Sequence, residues 1–129
     1  MQLLWTSWLT VAVLVLYCWI IYKAGKARTQ FKVPAPAADG PPEFLRALRV
    51  QANTVEQMVF FFPALWLCAV WTGDKLAAAM GVVWLLGRLL YAITYYQDAS
   101  KRSMGFLISG LAAIGLVLAA IVGMSGVLK

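Results

Sequence analysis

Five polar side chains recur at helical intervals in an otherwise apolar stretch: Arg46, Arg49, Asn53, Glu56 and Gln57. Spacings of 3, 4, 3 and 1 put all five on one face of a helix. From Met58 to Trp71 the stretch is wholly apolar, so the polar stripe fills only its first half. A second set, Arg88, Tyr91 and Tyr95, is spaced 3 and 4 and also shares one face, with Lys101 and Arg102 just beyond it. Gln51 points elsewhere on the first wheel, toward a neighbouring helix or subunit. Guanidinium forks suit carboxylates, and Glu56 suits an ammonium. The combined set therefore fits a small zwitterion with more than one carboxylate. The chain has no His, which removes the commonest metal ligand and general base. Cys18 and Cys68 lie in separate apolar runs, expected near opposite faces of a bilayer and too far apart for a disulfide. No metal or redox cluster is expected.

The elements that carry these residues must be membrane helices. Of the 129 residues 63% are hydrophobic and 12% charged, against roughly 45–50% and 25% in soluble domains. A small soluble domain has too little interior for that much apolar surface. This excludes a soluble enzyme, a disordered tail and a secreted disulfide scaffold. Four apolar segments are visible, at about 3–22, 44–72, 76–96 and 104–128. Each is long enough to span roughly 30 Å of hydrocarbon. No alternating pattern of strand length recurs, and a barrel needs at least about eight strands, so helices are expected over a barrel. The expected fold is all-α: an integral membrane four-helix bundle, one domain over 1–129. The first segment has no basic residues ahead of it, and its apolar run is too long for a signal peptide.

The net charge of +6 sits beside the apolar runs, which suits membrane topology and not nucleic acid. Lys23, Lys26, Arg28 and Lys32 follow the first segment, and Lys101 and Arg102 follow the third. The positive-inside rule puts both connections, Lys23–Pro42 and Gln97–Ser103, in the cytoplasm and both termini on the other side. That arrangement fits a bacterial inner membrane or a eukaryotic reticulum membrane. It also brings the polar end of the third helix to the polar start of the second. Pro34, Pro36, Pro41 and Pro42 make the first connection stiff and extended, and Pro42 with Glu43 suits a helix start. Gly105, Ser109, Gly110, Gly115, Gly123 and Gly126 would let the last helix pack closely.

Each polar residue admits a plainer reading. Arg46 and Arg49 could snorkel to the interface, and Arg88 could bridge to Glu56. Tyr91 and Tyr95 could be belt aromatics, and Arg102 a topology signal. Their convergence at one depth favours a site. Glutathione fits its chemistry, with two carboxylates, an amine, a peptide backbone and a thiol. Positive surroundings would raise the thiolate fraction of that thiol.

The stretch from Gly40 through Arg49 and Asn53 to Glu56 resembles the signature of the MAPEG family, membrane-associated proteins of eicosanoid and glutathione metabolism. Gly87–Tyr96 and Ser100–Ser103 are similar to its microsomal glutathione transferase and leukotriene C4 synthase branch. The resemblance implies a left-handed four-helix bundle per subunit and a homotrimer. It implies glutathione as co-substrate, bound between subunits near the cytoplasmic face, with no metal. Carried over, Arg28, Arg49, Gln51, Asn53, Glu56, Tyr91 and Tyr95 would hold the peptide. Arg102 would be the catalytic residue, stabilising the thiolate. An apolar electrophile or a lipid hydroperoxide would arrive from the lipid bilayer. Thr29, Gln57 and Pro63 depart from the leukotriene pattern, and Pro63 would shift a bend about one turn deeper. The expectation is a general detoxifying transferase, with glutathione peroxidase activity as a variant. Two other readings stand beside it. One is a catalytically silent accessory subunit of the same family. The other is a small four-helix exporter, disfavoured because Leu3–Tyr22 holds no acid and Glu56 is flanked by Arg.

Overall fold

The computed structural model describes residues 2–127. Four helices, α1 (Leu4–Phe31), α2 (Pro42–Trp71), α3 (Asp74–Gln97) and α4 (Ser103–Met124), are joined by short connections, with a 3-10 turn at Ala99–Lys101 leading into α4. The described residues contain no strand. All four helices are long and apolar enough to cross a membrane. Helices α2 and α3 form a central pair, with α1 on one flank and α4 on the other.

Helix α1 buries Thr6, Leu9, Val13, Leu16, Ile20, Ala24 and Ala27, a stripe at spacings of three and four. Its outward face is equally apolar: Trp5, Trp8, Leu14 and Val15 are exposed. A helix apolar all round is in its proper solvent only in lipid or against a partner. Inside, Leu9, Val13, Phe61, Leu65, Trp84 and Leu116 form the main core. Trp84 is fully buried and stacks on Phe61, with ring centroids 3.9 Å apart and planes within 9°.

The first helix does not end at Tyr22 as the hydropathy suggests. It continues through Lys23, Lys26 and Arg28 to Phe31, so most of the expected cationic loop is helix. Hydropathy marks where lipid ends, whereas the hydrogen-bond ladder continues while Ala24 and Ala27 keep burying the inner stripe. Cations also suit a helix C-terminus. Lys32, left-handed at φ 57°, ends the helix, and the prolines that follow prevent its return. Helix α2 starts at Pro42 and α3 at Asp74, each slightly ahead of the apolar run. Helix α2 runs uninterrupted through Pro63. The expected end of the last helix at Leu128 lies outside the described residues; α4 ends at Met124.

Asp74 accounts for the early start of α3. Gly73, at φ 148°, makes the turn after α2. The Asp74 carboxylate then accepts hydrogen bonds from the backbone N–H groups of Trp5 and Thr6 at 3.0 and 2.8 Å. One acid thus sits at the positive ends of both α3 and α1. On the sequence alone Asp74 offers only a charge to offset Lys75. At the same end, Thr72 donates to the Ala119 carbonyl at 2.6 Å and ties the α2–α3 turn to α4.

At the other end α3 and α4 cross in backbone contact. A Cβ added at Gly87 would lie 2.8 Å from the Ser109 nitrogen. One added at Gly105 would fall on the backbone of Tyr91 and on the Gly87 carbonyl. Two glycines at the crossing allow this approach, and the approach fixes Tyr91 on α3 relative to the start of α4.

Candidate functional site

Between α2, α3 and the start of α4 lies a cavity of about 720 Å³, lined by Arg49, Asn53, Tyr91, Tyr95, Arg102 and Ser103 with the apolar Phe106 and Leu107. That is within the range of small-molecule sites, roughly 300–1,000 Å³. Helix α2 supplies Arg49 and Asn53 one turn apart. Helix α3 supplies Tyr91 and Tyr95, whose rings meet edge to face at 5.3 Å.

Arg102 is placed by the turn before α4. The Asp98 carboxylate accepts from the Ser100 N–H at 3.0 Å and caps the 3-10 turn. That hydrogen bond holds the Asp98 carboxyl below the usual carboxylate range. The Arg102 Nη1 donates to the Ala99 carbonyl at 2.7 Å, and the guanidinium carbon lies 5.9 Å from the Tyr95 ring centre. The rest of the fork has no protein hydrogen-bond partner among the described residues. Arg49 meets Glu56 at 3.7 Å, with both side chains more than half exposed (55% and 56%). An exposed pair of that kind is weak and leaves the Arg49 fork available to a ligand. Glu56 reaches the cavity only through Arg49.

Arg28 and Gln51, like Glu56, do not line the cavity. Arg28 donates through Nη1 to the carbonyls of Val33 and Ala37 at 3.2 and 2.7 Å, and its guanidinium lies 5.4 Å from the Phe44 ring centre. It braces the α1–α2 connection. Gln51 is half-buried and follows Phe44 and Ala47 around the helix, on the face that packs toward Ala27 and Val33. Helix α2 therefore stands between Arg28 and Gln51 on one flank and the cavity on the other.

The remaining polar residues have definite partners. The Arg46 Nε donates to the Tyr96 carbonyl at 3.2 Å, capping the end of α3. Tyr96 faces α1, edge-on to Trp19 at 5.7 Å and under the Lys23 ammonium at 5.1 Å. Arg88 does not bridge to Glu56. It is fully buried, and its Nη2 donates to Asn53 Oδ1 at 2.9 Å and Thr54 Oγ1 at 2.8 Å. Glu56 lies on the outward side of α2, out of reach. Thr54 was the overlooked partner; its place beside Asn53, on the face turned to α3, was the available signal. Cys18 and Cys68 are both free.

Taken together, the cavity lining is a set of donors: two guanidiniums, an amide and two phenols. Its chemistry suits an anionic, acceptor-rich ligand, and the fold and cavity define a polytopic membrane protein with a donor-lined cavity at one end of an apolar bundle. The chain belongs to the MAPEG family, whose sequence profile matches residues 6–122. An uncharacterized protein of Synechocystis sp. is 45% identical over 120 residues, 93% of this chain and 88% of the relative. Human microsomal glutathione S-transferase 2 is 39% identical over 100 residues, 77% of this chain and 68% of the relative. Bovine leukotriene C4 synthase is 35% identical over 99 residues, 70% of this chain and 66% of the relative.

Proposed function

We propose that the protein is a membrane glutathione transferase that adds the glutathione thiolate to apolar electrophiles. The observation that carries this reading is the cavity gathering Arg49, Asn53, Tyr91, Tyr95 and Arg102. Arg49 and Asn53 bind the peptide's carboxylates and carbonyls. Arg102, free on one side, faces the sulfur and stabilises the thiolate. The thiol proton leaves to water. In conjugation a sulfur–carbon bond forms as the leaving group departs with its electron pair. With a lipid hydroperoxide the sulfur–oxygen bond forms as the O–O bond breaks, and the alkoxide leaves and takes a proton from water. The sulfur of a second glutathione then displaces the hydroxyl from the sulfenic acid, which closes the disulfide and releases water. The bilayer concentrates the apolar partner, and binding orders both reactants.

The working unit is a homotrimer. Arg28 and Gln51 lie on the flank of α2 opposite the cavity, so a ligand that uses all the peptide-holding residues must sit between protomers. The cationic connections face the cytoplasm by the positive-inside rule, which puts the site at that surface.

The test is turnover of glutathione with 1-chloro-2,4-dinitrobenzene by the detergent-purified oligomer. Adduct formation above the uncatalysed rate supports the reading. A folded oligomer that neither binds glutathione nor turns over is a silent accessory subunit.

A further inference from the structure

We infer that Arg88 is a positioning residue for the glutathione site, acting through Asn53: it fixes the amide so that its NH2 group, and not its oxygen, is offered to the ligand. This inference rests on the reading of the cavity as a glutathione site and goes beyond it, because Arg88 does not line the cavity. A guanidinium has only donors. The contact from Arg88 Nη2 to Asn53 at 2.9 Å can therefore be made only to the amide oxygen. That contact removes the ambiguity of a side-chain amide. Asn53 is buried yet lines the cavity, and its Nδ2 has no protein acceptor among the described residues. What remains for a ligand is a donor.

Arg88 is well held for this task. Thr54 takes a second hydrogen bond from Nη2, and the guanidinium lies against the Tyr91 ring with its carbon 4.1 Å from the centroid. The contact to the negative face of the ring is favourable. Its cost is equally visible. Arg88 is fully buried, Nε and Nη1 have no partner, and the ion pair present among the described residues is Arg49 with Glu56. An unpaired cation in a membrane interior is expensive. Orienting Asn53 and adding positive charge behind an anion site gives that costly burial a role. The ligand end served is a carboxylate or peptide carbonyl, distinct from the sulfur end beside Arg102.

The test is a double-mutant cycle on glutathione affinity and kinetics in the purified oligomer, with Arg88→Gln, Asn53→Ala and the pair. Each single change should raise the glutathione Kd and KM by roughly tenfold or more, while kcat at saturating glutathione stays within about threefold. In the Asn53→Ala background, Arg88→Gln should add less than about threefold. A merely structural role would instead give additive losses and a fall in kcat. If Arg88→Gln does not fold, Asn53→Asp carries the test. It keeps an acceptor on Arg88, so nothing is orphaned, and puts a carboxylate oxygen where the donor faced the ligand. It should fold normally and bind glutathione roughly tenfold or more weakly. Additive losses, or an Asn53→Asp protein that binds as tightly as wild type, overturn the inference alone. A wild-type oligomer that binds no glutathione overturns the reading of the cavity and this inference with it.

Discussion

Gly105→Ala should weaken the fold and the site together, because Gly105 sits where α4 crosses α3. The added methyl would lie 2.6 Å from the Tyr91 Cα and 2.7 Å from the Gly87 carbonyl oxygen. Both are backbone atoms and cannot swing aside. Ordinary contact needs roughly 3.5–4 Å, so the helices must part by about 1 Å. Overpacking of this kind costs about 1–3 kcal/mol, offset in part by the better helix propensity of Ala, about 1 kcal/mol. Gly110→Ala is the control, since its added methyl meets nothing within 4 Å and only the propensity gain remains. The propensity gain is common to both variants, so they should differ by about 1–3 kcal/mol, or roughly 3–12 °C in melting temperature. The parting also moves Arg102 relative to Tyr95. A displacement of that size costs on the order of 100-fold in turnover. Thermal unfolding in detergent and glutathione conjugation would be measured side by side. If Gly105→Ala melts with Gly110→Ala and keeps its activity, the crossing does not position the site and the reasoning fails.

Trp84→Ala removes the ring stacked on Phe61 in the buried core and should destabilise by about 3–5 kcal/mol, measured by thermal melting against the exposed control Leu86→Ala. Asp74→Asn weakens a carboxylate shared by two helix starts, so the melting temperature should fall while glutathione affinity of the folded protein stays unchanged. Equal melting of wild type and Asp74→Asn would remove the carboxylate from the account of how α1 is held.

The number of helices was legible because hydrophobic runs of membrane length leave few alternatives. The face shared by Arg49 and Asn53, and that shared by Tyr91 and Tyr95, were legible because helical periodicity survives any packing. Where α1 ends was not. Lys23, Lys26 and Arg28 look like a loop on hydropathy, yet they are helical because Ala24 and Ala27 still face the bundle. Nor could the sequence separate Gly105 from Gly110. Both read as small residues in an apolar helix, and only the path of α3 makes one essential. Asp74 reaching Trp5, and Arg88 reaching Asn53 and Thr54, are contacts between helices whose relative rotation the sequence does not encode locally. Arg28 and Gln51 show the limit from another side. Residue matching put them in one set with Arg49, whereas the fold holds Arg28 and Gln51 on the flank of α2 opposite Arg49.

On the proposed function, Arg102 activates a thiol bound in this cavity. The most direct measurement is the thiolate absorbance of glutathione bound to the detergent-purified oligomer, followed against pH for wild type and Arg102→Ala. Removing a cation beside the sulfur disfavours the charged form, so the pH at which the bound thiol ionises should rise by about 1–3 pH units. Turnover at neutral pH should fall with it, while glutathione affinity changes little. The same ionisation curve and the same turnover in both proteins, with glutathione bound in each, would contradict the account.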